Sequence, residues 1–329
     1  MVGKDPYALP LEKIDLSHPG IWKANEFLPF LKRLRDEDPV HYCPKSAVGP
    51  YWSVMKYRDI MTVDTSPDIY SSEPTIGIID SFPEFTPPSF IAMDPPKHDE
   101  QRRIAQPVVA PKNLKNLEVI IRERVCKILN SLPVGEKFDC VQNVSVELTT
   151  QMLATLFDFP FEDRHKLTYW SDMATGIPGG GVVDSQEERW GAIQECLAYF
   201  TRLWNERVYE EPSFDLVSML AHAEATQNMS PMEYLGNILL LIVGGNDTTR
   251  NSISGGVIAL NENPGEYKKL RKNKGVIQNM VSEIIRWQTP LAYMRRTANQ
   301  DTTLRDKEIK AGDKVIMWYI SGNRDESEI

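Results

Sequence analysis

No stretch of this sequence is apolar enough to cross a membrane. The longest purely aliphatic run, Ile238 to Val243, is far short of the ~20 residues that a span requires. The N-terminal MVGKDPYALP has none of the apolar core of a secretory signal. Cysteine is scarce, with 4 in 329 residues. Cys43, Cys126, Cys140 and Cys196 form no CxxC pair, and no histidine stands at zinc-ligand spacing from them. A disulfide scaffold and a side-chain metal site are therefore excluded, and a reducing cytoplasm is the expected compartment. Positive charge is also short, with 37 basic against 46 acidic residues and a net charge of -9. That balance excludes nucleic acid as the main partner, because phosphate binding needs a basic surface.

What is present is ordinary globular material: 41% hydrophobic and 25% charged residues, enough for a large core. Helical periodicity dominates. Leu117, Ile120, Ile121, Val125, Ile128, Leu129 and Leu132 recur in steps of three and four, which predicts an amphipathic helix from Leu114 to Leu132. Val144 to Phe157 and Ile193 to Trp204 read as two more helices. Strand signals are confined to Tyr51–Tyr57 and Val315–Ile320, both short, aromatic and β-branched. The expected fold is mainly α with small β-sheets. No repeat or linker divides residues 1–329, so one domain is expected. Proline-rich stretches at Pro83–Pro96 and around Pro178 read as long surface loops.

The longest helix opens on Ser230-Pro231-Met232-Glu233, a capping box with proline at the first helical position. It runs to about Asn261, before Pro264, and its apolar first half predicts burial all round. Halfway along stands Gly244-Gly245-Asn246-Asp247-Thr248-Thr249-Arg250. Two glycines at about 0.8–1 kcal/mol each, and four polar residues at about 0.5 each, cost roughly 4 kcal/mol of helix propensity. A typical net stability is about 5–15 kcal/mol, so this is a large concession. It leaves two readings: small-residue helix packing, or a site where something bulky approaches the backbone.

Two further segments carry chemistry. Glu283 and Arg286 stand at i, i+3 among Met280, Val281, Ile284, Ile285 and Trp287. They form either a solvated surface pair or, given those apolar flanks, a buried one. After Pro95-Pro96, His98 and Arg102 stand at i, i+4, so both can donate to one anion.

In this order and spacing, the segments resemble the cytochrome P450 superfamily of haem-thiolate monooxygenases. Gly244 to Thr249 match its oxygen-activation motif, Glu283–Arg286 its ExxR motif, and His98/Arg102 its propionate-binding HxxxR. Arg296 matches a further propionate contact, and Asn323-Arg324-Asp325 the NRD stretch. The stretches Glu147–Phe159, Leu260–Pro264 and Trp287–Ala292 resemble the bacterial medium-chain alkane and fatty-acid terminal hydroxylases.

The resemblance implies the P450 fold and haem b as cofactor, with Asp247 and Thr248 as the catalytic proton-delivery pair. His98, Arg102, Gly244, Gly245 and Arg296 would be cofactor contacts, and Glu283–Arg286 a structural ion pair. An apolar pocket is expected from Leu240, Leu241, Leu291, Met294 and the Ile76–Phe90 loop. Electrons would come from NAD(P)H through a ferredoxin reductase and a [2Fe–2S] ferredoxin, docked on a basic patch of Arg102, Arg103, Lys112 and Lys115. A monomer acting on O2 and an apolar small molecule is expected. The alternatives are a terpene or steroid hydroxylase of the same fold, or a non-catalytic binder of apolar ligands. The family's axial cysteine stands in an FxxGxxxCxG loop that has no match up to Ile329. The chain is therefore expected to lack its C-terminal quarter, with the metal ligand beyond Ile329, and to be inactive as it stands.

Overall fold

The computed structural model describes residues 1–80 and 86–329. In chain order the helices begin with α1 (Pro19–Lys23), α2 (Phe27–Glu37), α3 (Tyr57–Asp64), α4 (Lys97–Ala105), α5 (Pro111–Ser131) and α6 (Glu147–Leu156). Then come α7 (His165–Thr175), α8 (Gln186–Arg207), α9 (Leu216–His222), α10 (Pro231–Glu262), α11 (Pro264–Lys272), α12 (Ile277–Gln288) and α13 (Tyr319–Gly322). The strands are β1 (Val40–Cys43), β2 (Tyr51–Val54), β3 (Tyr70–Ser71), β4 (Met294–Ala298), β5 (Thr302–Leu304), β6 (Lys307–Ile309) and β7 (Lys314–Met317).

The chain divides into two compact units, interleaved along the sequence. The first comprises Met1–Phe82, Ile91–Pro95 and Gln278–Ile329; the second comprises Pro83–Phe90 and Pro96–Ile277.

The first unit is built on a five-stranded sheet of order β1-β2-β7-β4-β3, with β5 and β6 as a separate hairpin. Only β2–β7 is parallel among its pairings. Side chains alternate across β7. Val315 and Met317 join a cluster with Val40, Val54 and Val63, while Ile316 and Trp318 join Ile14, Leu34 and Tyr51 on the other face. Both predicted strands are shorter than their apolar runs. Tyr57 already begins α3, whose first amide is capped by the Asp325 carboxylate at 3.1 Å, and α13 starts at Tyr319.

The second unit is helical. Phe157, Trp170, Phe200, Leu235, Ile238 and Ile242 centre its core, each at most 1% exposed. Burying one such side chain contributes about 1.5–3 kcal/mol. Helix α5 forms as the periodicity predicts, but of its apolar stripe only Ile128 is fully buried; Ile120 and Leu129 are exposed. Val144–Phe157 begins as a π-helical turn (Val141–Val146) before α6. Helix α8 is longer than its apolar core. Ser185 accepts from the Glu188 amide and the Glu188 carboxylate accepts from Asp184 N, a capping arrangement absent from the periodicity reading.

Helix α10 has the predicted start: Ser230 Oγ accepts from Glu233 N at 3.2 Å. It runs unbroken for 32 residues. It is not buried all round, because Gly244 within its first half is exposed and Val257 and Ile258 in its second half are 42% and 57% exposed. Among the described residues no helix is long and apolar enough to cross a membrane.

Candidate functional site

The costly centre of α10 is stabilised by its own polar groups. Thr248 Oγ1 donates to the Gly244 carbonyl at 2.8 Å, Asn251 Nδ2 to Asp247 O at 2.9 Å, and Ser252 Oγ to Thr248 O at 2.8 Å. Each is a one-turn back-bond that satisfies a short polar side chain inside a helix. Fully buried Asn246 accepts from Thr149 Oγ1 of α6 at 3.0 Å, while its Nδ2 has no partner among the described residues. Asp247 pairs with Arg250, which also reaches Asp172 of α7 at 3.2 Å. Burial pushes the Asp247 carboxyl above its ordinary value; Arg250 opposes this and the Asp172 charge adds to it.

The two glycines of the motif differ. A methyl group at Gly244 would meet nothing within 4 Å, so this residue presents bare backbone to open space. At Gly245 it would come within 2.6 Å of Leu153 Cδ2, so the close approach that Gly245 permits is to α6. Earlier on the same helix, Leu241 packs against the helical core. Leu240 is half-buried and lies outside that cluster.

On α4, His98 Nδ1 bonds the Phe90 carbonyl at 2.9 Å. That oxygen only accepts, so Nδ1 carries the hydrogen and Nε2 is left for another partner. Its nearest acid, Asp99, stands 4.0 Å away. Arg102, one turn on, is exposed and has no hydrogen-bond or ion-pair partner among the described residues. Arg103, Lys112 and Lys115 are exposed as well.

In the sheet unit, Arg296 NH2 bonds Asp64 at 2.7 Å, so this predicted contact already has a carboxylate partner. Its neighbour Arg295 points away to Asp80 at 2.7 Å and is itself 4% exposed. The Glu283–Arg286 pair forms at 2.6 Å. It is not the buried pair that its apolar flanks allow, since the Glu283 side chain is 59% exposed. Ile277, Val281 and Ile285 on α12 are exposed too, so flanking hydrophobicity does not report burial here. The inward contact of Arg286 is to the Asn323 carbonyl at 2.6 Å. The Asn323-Arg324-Asp325 stretch joins three elements: Arg324 bonds Trp287 O, and Asp325 holds Lys56 and the first amide of α3. Of the expected pocket residues here, Leu291 lines a groove of about 260 Å³ with Tyr57, Met61, Ile285 and Tyr319. Met294 instead packs against the sheet's core.

These features coincide with what comparison finds. The cytochrome P450 family profile matches residues 99–328. The chain belongs to that family and is a cytochrome P450 monooxygenase. Among solved structures it is similar to CYP153D17 from Sphingomonas sp. PAMC 26605, with 47% identity and a TM-score of 0.89 over 95% of this chain and 79% of that one. Cytochrome P450-153 from Novosphingobium aromaticivorans is 44% identical, with a TM-score of 0.88 over 95% of this chain and 80% of that one. A methyl-branched lipid omega-hydroxylase of Mycobacterium tuberculosis is 31% identical over 99% of this chain and 79% of its own length. A linalool 8-monooxygenase of Pseudomonas putida is 31% identical over 96% of this chain and 81% of its own length.

Haem is the cofactor of the family, and the residues present fit it. Gly244 offers open backbone, and Arg102 is a donor free for a carboxylate, one turn from His98, whose Nδ1 hydrogen already goes to the Phe90 carbonyl. No group of three or more His, Cys, Asp or Glu able to hold a metal ion occurs among the described residues. Cys43 and Cys196 are buried, and burial pushes both thiols up, so they act as small apolar side chains.

Proposed function

We propose that this monooxygenase hydroxylates the terminal methyl of medium-chain alkanes or fatty acids, with electrons from NAD(P)H through a ferredoxin reductase and a [2Fe–2S] ferredoxin. The observation that carries the site is the centre of α10, where the open backbone of Gly244 stands one turn from Thr248 and beside the Asp247–Arg250–Asp172 network. Bound haem supplies the activation of dioxygen and the insertion of one oxygen atom into a C–H bond. His98, Arg102 and Arg296 would hold its carboxylates. The Thr248 hydroxyl, now on Gly244 O, is the donor that can be re-aimed at the reacting oxygen. Asp247, whose carboxyl burial pushes above its ordinary value, would relay protons toward that hydroxyl. Asp172, 36% exposed, leads that network to solvent through Arg250.

The terminal position is supported by the resemblance to alkane and fatty-acid hydroxylases and by the omega-hydroxylase relative. Methyl C–H bonds are stronger than methylene ones, so only a pocket that aims the chain end-on gives terminal attack. A barrier difference of about 1.4 kcal/mol is tenfold in rate. With octane, ferredoxin, reductase and NADH, the full-length, haem-loaded enzyme is expected to give mainly 1-octanol; gas chromatography showing mostly 2- and 3-octanol would overturn terminal selectivity. The linalool 8-monooxygenase relative favours a terpene alcohol as the second reading. Faster turnover of linalool than of octane would decide for it. For the ferredoxin, exposed Arg102, Arg103, Lys112 and Lys115 supply the basic patch.

A further inference from the structure

Asn237 is fully buried on α10, yet it is polar and lies in an otherwise apolar turn. Its Oδ1 accepts from the Phe90 amide at 2.9 Å, and its Nδ2 donates to Gln101 Oε1 at 2.9 Å. Gln101, 2% exposed, passes its own Nε2 hydrogen to Glu233, and Lys97 reaches the same carboxylate at 2.8 Å. The direction of this chain admits one solution. The Glu233 carboxylate takes its contacts from the donors of Gln101 and Lys97, and the Phe90 N–H only donates, so these two ends orient both amides between them. From Phe90 the network returns to α4 through the carbonyl that holds His98 Nδ1. Gly236, next to Asn237, brings the backbone closer still: a Cβ there would stand 1.9 Å from Pro88 O.

We propose that Asn237 and Gln101 are positioning residues. They clamp the 86–90 segment onto α10 and, through the two backbone groups of Phe90, set both the substrate-facing loop and the presentation of His98 Nε2. The proposal rests on the reading above that this loop walls the substrate pocket. Apolar contact alone would hold the segment against α10 without a register. Two hydrogen bonds to one residue's N–H and C=O fix its position along the helix and its rotation. Phe90 is the residue so held, and its ring meets His98 edge-on at 6.2 Å between centroids.

The test compares Asn237→Leu, which removes both amide functions and keeps the branched shape at a larger volume, with Asn237→Asp, which keeps the acceptor for Phe90. Amide hydrogen exchange reads the clamp directly, and Pro87 and Pro88 have no amide to blur the segment. Exchange at Phe90 is expected to rise on the order of tenfold in Asn237→Leu and by less than about threefold in Asn237→Asp. In the full-length, haem-loaded enzyme the ratio of 1-octanol to inner octanols is expected to fall at least about threefold in the leucine variant only. Should that variant fail to fold, Gln101→Leu, which leaves Asn237 Nδ2 only the Met229 sulfur at 3.1 Å, is expected to give the same two changes to a smaller degree.

Unchanged exchange at Phe90 overturns the clamp whatever the product. Raised exchange with an unchanged isomer ratio overturns the positioning role and leaves Asn237 as packing only. If the unmutated enzyme makes no terminal alcohol, the substrate reading falls while the exchange measurement still judges the clamp. The ratio of whichever isomers form then replaces the octanol ratio.

Discussion

Three glycines on one helix give three different expectations for the same change to alanine. In each case alanine gains about 0.8–1 kcal/mol of helix propensity. At Gly244 nothing opposes that gain, because no atom lies within 4 Å of the new methyl. At Gly245 the obstacle is Leu153 Cδ2 at 2.6 Å, the far end of a flexible side chain, and a small rotation roughly cancels the gain. At Gly236 the obstacle is backbone: Pro88 O at 1.9 Å and Pro87 O at 2.8 Å. Relief to ordinary contact needs a shift of about 1.5 Å, enough to break the adjacent Asn237–Phe90 hydrogen bond. Overpacking costs about 1–3 kcal/mol and the lost bond about 1, so after the propensity gain the net is roughly 1–3 kcal/mol of destabilisation. At this chain length about 1.5 °C corresponds to 1 kcal/mol. Melting followed by circular dichroism is therefore expected to rise about 1 °C for Gly244→Ala, to stay level for Gly245→Ala, and to fall about 2–4 °C for Gly236→Ala. Gly244→Ala is also expected to lose most hydroxylase activity while being the most stable of the three, the signature of a site that trades stability for access. A Gly236→Ala protein as stable as the unmutated one would refute the close-approach reasoning. So would a Gly244→Ala protein less stable than Gly245→Ala.

In the full-length enzyme Thr248→Ala is expected to uncouple the reaction, with NADH still consumed and hydrogen peroxide replacing alcohol, while Thr248→Ser keeps most coupling; equal coupling in all three places proton delivery elsewhere. Asp247 has a raised folded-state pKa, so its contribution to stability is present at low pH and is lost as pH rises through that value. Asp247→Asn should therefore flatten the stability profile just above the ordinary Asp range; an unchanged profile refutes this. Asp80 behaves in the opposite sense. Lys314 at 2.7 Å, and then Arg295, hold its carboxyl below the ordinary value. Its contribution is present above the unfolded value and is lost as pH falls through the folded one, so Asp80→Asn should lower stability at neutral pH and change little in strong acid. Glu283→Gln, at a side chain 59% exposed, should cost less than about 1 kcal/mol. Arg286→Ala, which also abandons the Asn323 carbonyl, should cost more, and equal losses in denaturant titration would contradict that ordering.

Much of this molecule is legible in local sequence because its signals are local. The Ser230-Pro231 start and the Pro264 stop delimit α10 correctly, since capping and proline sterics act within a turn. The motif spacings that resemble the P450 family are likewise counted along the chain, and the family follows from them. The sequence by itself did not determine which way each residue faces a neighbour distant in sequence. Only the tertiary structure separates Gly236, pressed against Pro88, from Gly244, which faces open space. It also separates Arg295, buried on Asp80, from Arg296 on Asp64, and shows Leu241 and Met294 partly buried against core clusters. Asn237 carried no signal at all, because its partner Phe90 lies 147 positions away. A hydrogen bond across that separation obeys no helical or strand period. It exists only once folding has brought the two segments together, and local propensity contains no term for it.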